Sequence, residues 1–157
     1  MGEAVAKQAT RWSLDLLAHM IATEEHAHAQ FLVFRSAKAH RDEAVRHAVL
    51  ARLQKPKAIG YRAMGALYEV LGAQCHGDDL SVLQAALEDD ALAGQHGMTR
   101  SGIVRGLGAH RSEGAWQILK QWTTKAMLKR AGDHVAPALV SVSFLFLAHK
   151  FGDRRGH

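Results

Sequence analysis

Cysteine and proline are nearly absent from this chain of 157 residues, which contains one cysteine and two prolines. Because Cys75 stands alone, no internal disulfide can form, and a zinc site that needs several cysteines is excluded. We expect an intracellular protein, either soluble or bound in an assembly. No residue pattern specifies an organelle.

Strand patterns and very long apolar runs are also missing. No segment combines alternating β-branched residues with hairpin turns, so an all-α fold is predicted. The most apolar segment, residues 135–148, has about 14 residues, whereas a membrane-spanning helix needs about 20. A helix that is apolar on every side must be covered. We therefore expect a core or interface helix here, with Leu139, Val142, Leu145 and Phe146 buried by the preceding helices, and we do not expect a membrane as a partner.

What the chain does contain is helical periodicity. Neither glycine nor proline occurs between Glu3 and Lys55, which favours helix over most of this stretch. A first helix is predicted over residues 4–36, and Asp42 is expected to cap a second helix that ends near Gln54. The inward side of the first helix is predicted to hold side chains at three- and four-residue steps: Trp12, Leu16, Leu17, Met20, Ile21, Glu24, His28, Phe31 and Leu32.

Five further helices are predicted in the rest of the chain. They begin, in order, near Ala58, Asp78 or Asp79, Thr99, Ser112 and Val135. The prediction is a single all-α domain over residues 1–157, a bundle of about six to seven helices. Its N-terminal part, residues 1–56, holds the long helix, and its C-terminal part, residues 57–157, carries a basic face.

Leucine-glycine steps suggest an alternative arrangement of these helices. Leu71-Gly72 and Leu107-Gly108 each close a predicted helix, and Phe151-Gly152 is a third such end. These steps resemble the end of the second helix in HEAT-type repeats, where successive helical pairs stack on one another. The resemblance implies a short HEAT-like stack of helical pairs, and the irregular spacing of the steps leaves the bundle open as well.

Residues 24–32 form the most suggestive cluster for metal binding. Glu24, Glu25 and His28 place carboxylates three and four residues before an imidazole. This segment resembles the Glu-Glu-x-x-His-Ala segment of ferritin-like di-iron proteins, which implies iron or another transition metal as a cofactor. The family also needs a second Glu-x-x-His, which this sequence lacks. We therefore expect no cofactor and keep a ferritin-like metal-binding protein as an alternative.

No complete set of catalytic residues is evident. Cys75 and His76 are the only adjacent thiol and imidazole, and neighbouring positions do not bring side chains together. The glycines between residues 94 and 108 match no phosphate-binding loop. The sequence therefore predicts a protein that is not an enzyme, and it indicates no small-molecule substrate.

Positive charge is concentrated in the C-terminal third. Residues 98–157 hold ten Lys and Arg against three Asp and Glu, whereas residues 57–97 hold two against six. Such asymmetry favours an acidic partner surface. We therefore predict a helical interaction or scaffold protein, a small subunit or adaptor that contacts other protein subunits. The candidate partner-binding residues are Arg100, Arg105, Lys120, Lys125, Lys129, Arg130, Arg154 and Arg155.

Nucleic acid is the alternative acidic partner. The same lysines and arginines could contact the phosphate backbone without sequence preference. Residues 81–107 could also form a degenerate helix-turn-helix, in which Thr99, Arg100, Ser101 and Arg105 face outward toward bases or phosphates. The chain is also rich in histidine, with eleven residues, which would add positive charge near pH 6.

Overall fold

The structure, a computed structural model, describes residues 10–92, 97–132 and 134–152. The all-α prediction is confirmed, because these residues form nine α-helices and one 3-10 turn, Pro56–Ala58, with no strand. The helices are α1 Arg11–Thr23, α2 Ala27–Ala37, α3 Glu43–Leu53, α4 Tyr61–Ala73, α5 Asp79–Glu88, α6 Met98–His110, α7 Glu113–Trp122, α8 Lys125–Ala131 and α9 Ala136–Gly152.

The prediction of one long first helix is wrong, because the backbone of Glu24 and His26 is extended and separates α1 from α2. Arg52 of α3 holds this break. Its guanidinium donates to the carbonyl oxygens of Ala22 at 2.9 Å and of Glu24 at 2.7 Å. Gln30 donates to the same Glu24 carbonyl at 2.9 Å. These bonds satisfy carbonyls that a helix end leaves without partners.

The predicted inward stripe of the first helix is also largely wrong. Only Ile21 of α1 is fully buried, while the Trp12 side chain is 73% exposed. Leu16, Met20 and Leu32 are exposed as well. The stripe was predicted for one continuous helix, and the turn between α1 and α2 changes which side of each helix meets the core.

The predicted helix starts agree better with the structure than the predicted inward stripe does. Asp42 accepts a hydrogen bond from the Ala44 amide at 2.9 Å and so caps α3, as predicted. Ser112 caps α7 in the same way through the Ala115 amide at 3.1 Å. The helix that begins after Ser112 is nevertheless divided at Thr123 and Thr124 into α7 and α8. These two divisions account for the difference between seven expected helices and nine observed ones.

The predicted all-α helical bundle contains successive helical pairs that lie side by side, and we call this arrangement the stack. Four of them, α2, α4, α6 and α9, begin at intervals of 34, 37 and 38 residues, and we call them the second helices. Hydrogen bonds recur between residues 30 to 38 apart, as between Gln30 and Gly60 and between Thr99 and Tyr61. Each pair therefore packs mainly on the pair before it, as in repeat proteins.

The contact between α4 and α6 lies at the centre of the stack. A Cβ atom added to Gly72 would lie 1.9 Å from the carbonyl oxygen of Gly106, and one added to Gly102 would lie 2.2 Å from that of Gly65. Gly65 belongs to the same close contact, since a Cβ atom added to it would lie 2.7 Å from the Met98 carbonyl oxygen. Gly65 of α4 meets Gly102 of α6, and Gly72, further along α4, meets Gly106, further along α6. The two helices therefore run parallel.

The apolar helix α9 closes the stack and is only half covered. Leu139 is fully buried, and Phe146 stacks on Trp116 with ring centroids 5.1 Å apart. Leu145, which the sequence predicted to be buried, is 67% exposed, and Phe144 is 71% exposed. A search of the described helices for one long and apolar enough to cross a membrane finds none.

Candidate partner-binding groove

A groove of about 650 Å³ lies beside α9 on the face formed by the second helices. Its apolar wall consists of Val142, Leu145 and Phe146 of α9. Gly108 and Ala109, at the end of α6, are small enough to leave the space open. We call this cavity the α9 groove.

The opposite wall of the α9 groove is charged. Glu69 of α4 lies between Lys38 and Arg105 and accepts hydrogen bonds from both, with Arg105 Nε at 3.0 Å. The Glu69 side chain is mostly buried, whereas the two cations are each about half exposed. The acid therefore lies beneath two basic groups that remain accessible, and Arg111 adds a third basic residue to the lining.

Glu69 keeps this charged wall in one arrangement. Burial raises the pKa of its carboxyl group, but hydrogen bonds and charge attraction from Lys38 and Arg105 outweigh burial, so the pKa lies below its usual value. The carboxylate is therefore ionised at neutral pH. Because it neutralises only one of its two partners, the wall keeps a net positive charge.

A second depression of about 380 Å³ continues the groove toward the start of the stack. It shares Lys38, Glu69 and Arg105 with the α9 groove and adds Phe31 and Arg35 of α2. The α9 groove and this second depression together cross all four second helices.

Sequence reasoning found only one residue of this wall, Arg105. It missed Lys38, Glu69 and Arg111, which are far apart along the chain. The available signal was the spacing of the helical pairs: positions 38, 69 and 105 lie 31 and 36 residues apart. A stack of pairs brings such positions side by side.

Arg100 is one of the predicted partner-binding residues, but the structure places it in the interior. Its side chain is buried, bonds to Asp90 at 2.9 Å and lies over the Trp122 ring at 5.4 Å. Arg130 makes the same two contacts, at 3.1 Å and 5.6 Å. Arg100 therefore holds α6 against α7 and cannot reach a partner. Charge counting could not reveal that Trp122 and Asp90 lie beside it.

The remaining predicted residues stay separate from the groove. Lys120 of α7 and Lys125 and Lys129 of α8 are exposed. Arg154 and Arg155 lie outside the described residues. Among the described lysines and arginines of the C-terminal third, only Arg105 and Arg111 line the α9 groove.

The helix-turn-helix prediction required an outward-facing α6. Thr99 and Arg100 are instead buried, and α6 packs along its length on α4. The outward orientation expected for these two residues is wrong, because the glycines of α6 make it a central helix of the stack. Arg105 alone of the four proposed contacts is exposed.

The metal-binding candidates do not share one helix. Glu24 and Glu25 lie in the break before α2, while His28 lies within α2 and is exposed. Glu24 instead accepts a hydrogen bond from the His26 amide at 2.9 Å. The Glu-x-x-His geometry of a continuous helix is therefore not formed. Within the described ranges, no group of three His, Cys, Asp or Glu side chains could hold a metal ion.

Comparison of the chain with protein-family models, with curated proteins and with solved structures finds no match. The α9 groove, its charge and the exposed surface around it are therefore the features from which a function can be inferred.

Proposed function

We propose that this protein is a non-enzymatic interaction module, a small subunit or adaptor of a larger assembly, that holds an acidic protein segment in the α9 groove. One observation supports this proposal above the others. The apolar wall of Val142, Leu145 and Phe146 faces a wall whose accessible groups are cationic. A ligand that fits both walls is apolar on one side and acidic on the other.

An amphipathic helix with an acidic face has this chemistry. Helices commonly bind in grooves by placing apolar anchors against one wall. The charged groups would speed association and select against basic segments. A nucleic acid backbone fits less well, because it offers no apolar side to cover Leu145.

Fluorescence anisotropy with a labelled helical peptide, leucine on one face and glutamate on the other, tests the proposal. Arg111→Glu should weaken binding about tenfold or more, equivalent to about 1.4 kcal/mol, because it reverses a charge on the groove wall. Lys120→Glu is the matched control: it changes the net charge equally, on exposed α7. It should change the affinity by less than about twofold.

Equal losses in Arg111→Glu and Lys120→Glu would mean that only the overall charge matters. That result would overturn the groove as the binding site, as would an absence of measurable peptide binding. A labelled DNA duplex is measured in parallel over a salt series. Duplex binding that exceeds peptide binding and falls steeply with salt would favour nucleic acid instead.

A further inference from the structure

The two ends of the helical stack expose most of its large apolar side chains. Of ten such side chains on the described residues, eight lie on the first pair or on α9. The first-pair face consists of Trp12, Leu16, Met20 and Leu32, and the last-helix face consists of Val140, Phe144 and Leu147. Leu145, on the same helix, lines the α9 groove. The other two, Tyr61 and Met98, stand at the first residues of α4 and α6.

Both faces point away from the rest of the stack. On α1, Trp12, Leu16 and Met20 recur every four residues on one side, while the buried Ile21 lies on the side that packs toward α3. On α9, Leu139 is buried against the preceding helices, and Val140 and Phe144 lie on the other side. The two faces are therefore the terminal surfaces of the array of pairs.

We infer that these faces bind each other between two copies of the chain, head to tail. Within the chain, each pair buries an apolar side of the pair before it. The last-helix face is a surface of the kind that a following pair would cover, and the first-pair face is of the kind that a preceding pair would cover. Repeat arrays that stay monomeric have polar outer faces on their terminal repeats, whereas the described residues of both ends expose these apolar side chains.

Head-to-tail binding uses two different surfaces, so each added copy leaves both kinds of end free. The assembly therefore grows with concentration and does not stop at a dimer. This inference does not depend on the acidic ligand of the α9 groove, because Val140, Phe144 and Leu147 do not line that groove and the Trp12→Glu variant leaves it intact.

Sedimentation velocity of the full chain over a wide concentration range tests this inference. The wild-type mass should rise with concentration beyond that of a dimer. Trp12→Glu and Phe144→Glu each place a charge within one face and should each remain monomeric. An equimolar mixture of these two variants should form a one-to-one dimer and nothing larger, because each variant keeps one intact face.

Gln121→Glu, at an exposed position on α7, is the control and should assemble as the wild type does. Circular dichroism checks that each variant folds, and Leu16→Glu with Val140→Glu forms a second variant pair for the same two faces. A wild-type mass that stays monomeric at all concentrations would overturn the inference. So would a dimer that persists in either single variant, or a mixture that stays monomeric.

Discussion

The middle and the ends of the stack use apolar surface in opposite ways. At the centre, α4 and α6 meet backbone to backbone at glycines, so that no side chain separates them. At the ends, α1 and α9 expose large side chains that no described residue covers. The central contact forms because glycines have no side chains to separate the two helices, whereas the surface of each end is formed by large apolar side chains that project from the helices. Substitutions at the two places should therefore behave differently.

The largest effect is expected at the central contact. Gly72→Ala would place a Cβ atom 1.9 Å from the Gly106 carbonyl oxygen, and backbone cannot move aside as a flexible side chain can. We expect a loss of more than about 4 kcal/mol in the free energy of unfolding, measured by denaturant titration.

Gly77→Ala is the matched control, because nothing lies within 4 Å of its added Cβ. It should be neutral, or stabilising by up to about 1 kcal/mol, since alanine restricts the unfolded chain. Similar losses at both glycines would contradict a backbone contact between α4 and α6.

A smaller contrast is expected within α9 itself. Leu139→Ala removes a fully buried side chain and should cost about 3 kcal/mol. Phe144→Ala removes a larger side chain that is 71% exposed, and should change the free energy of unfolding by less than about 0.5 kcal/mol. The comparison is measured by denaturant titration at low protein concentration, where association contributes little. A large loss in Phe144→Ala would mean that α9 is covered on both sides in solution.

The smallest effect is expected at the charged wall of the groove. Glu69 has a lowered pKa in the folded protein, so its ionised form stabilises the fold at pH values above its unfolded pKa of about 4.3. Glu69→Gln should cost about 1 kcal/mol at neutral pH, because its cationic partners are half exposed.

The difference between Glu69→Gln and the wild type should shrink as the pH falls from about 4.3 through the folded pKa, where the carboxylate becomes protonated. Thermal unfolding over a pH series measures it. Glu25→Gln, at an exposed carboxylate, should change stability by less than about 0.5 kcal/mol at neutral pH. A difference at Glu69 that grows on acidification would contradict the ion pairs with Lys38 and Arg105.

Features set by neighbouring residues could be predicted from the sequence. The all-α class and the helix starts at Asp42 and Ser112 each follow from a few adjacent side chains. The pairwise arrangement was only one of two alternatives, because the leucine-glycine steps at Gly72, Gly108 and Gly152 are irregularly spaced.

Features set by distant residues could not be predicted. The break after α1 is stabilised by Arg52, nearly thirty residues further along the chain. The burial of Arg100 depends on Trp122 and Asp90, and the groove appears only when three successive pairs align Lys38, Glu69 and Arg105. The sequence around a charged or apolar side chain does not show which helix will pack beside it.

The parallel course of the second helices also gives the stack an electrical polarity. A hydrogen bond joins Gln30, early in α2, to Gly60, just before α4, and another joins Lys38, at the end of α2, to Glu69, late in α4. The helix α2 therefore runs parallel to α4, as α6 does. Their dipoles therefore add, and the carboxyl ends of all three carry partial negative charge along one edge. Arg41 donates to the Ala73 carbonyl at that edge at 3.0 Å. Lys38 and Arg111, which directly follow α2 and α6, lie at the same edge, so these basic residues offset the partial negative charge of the helix ends.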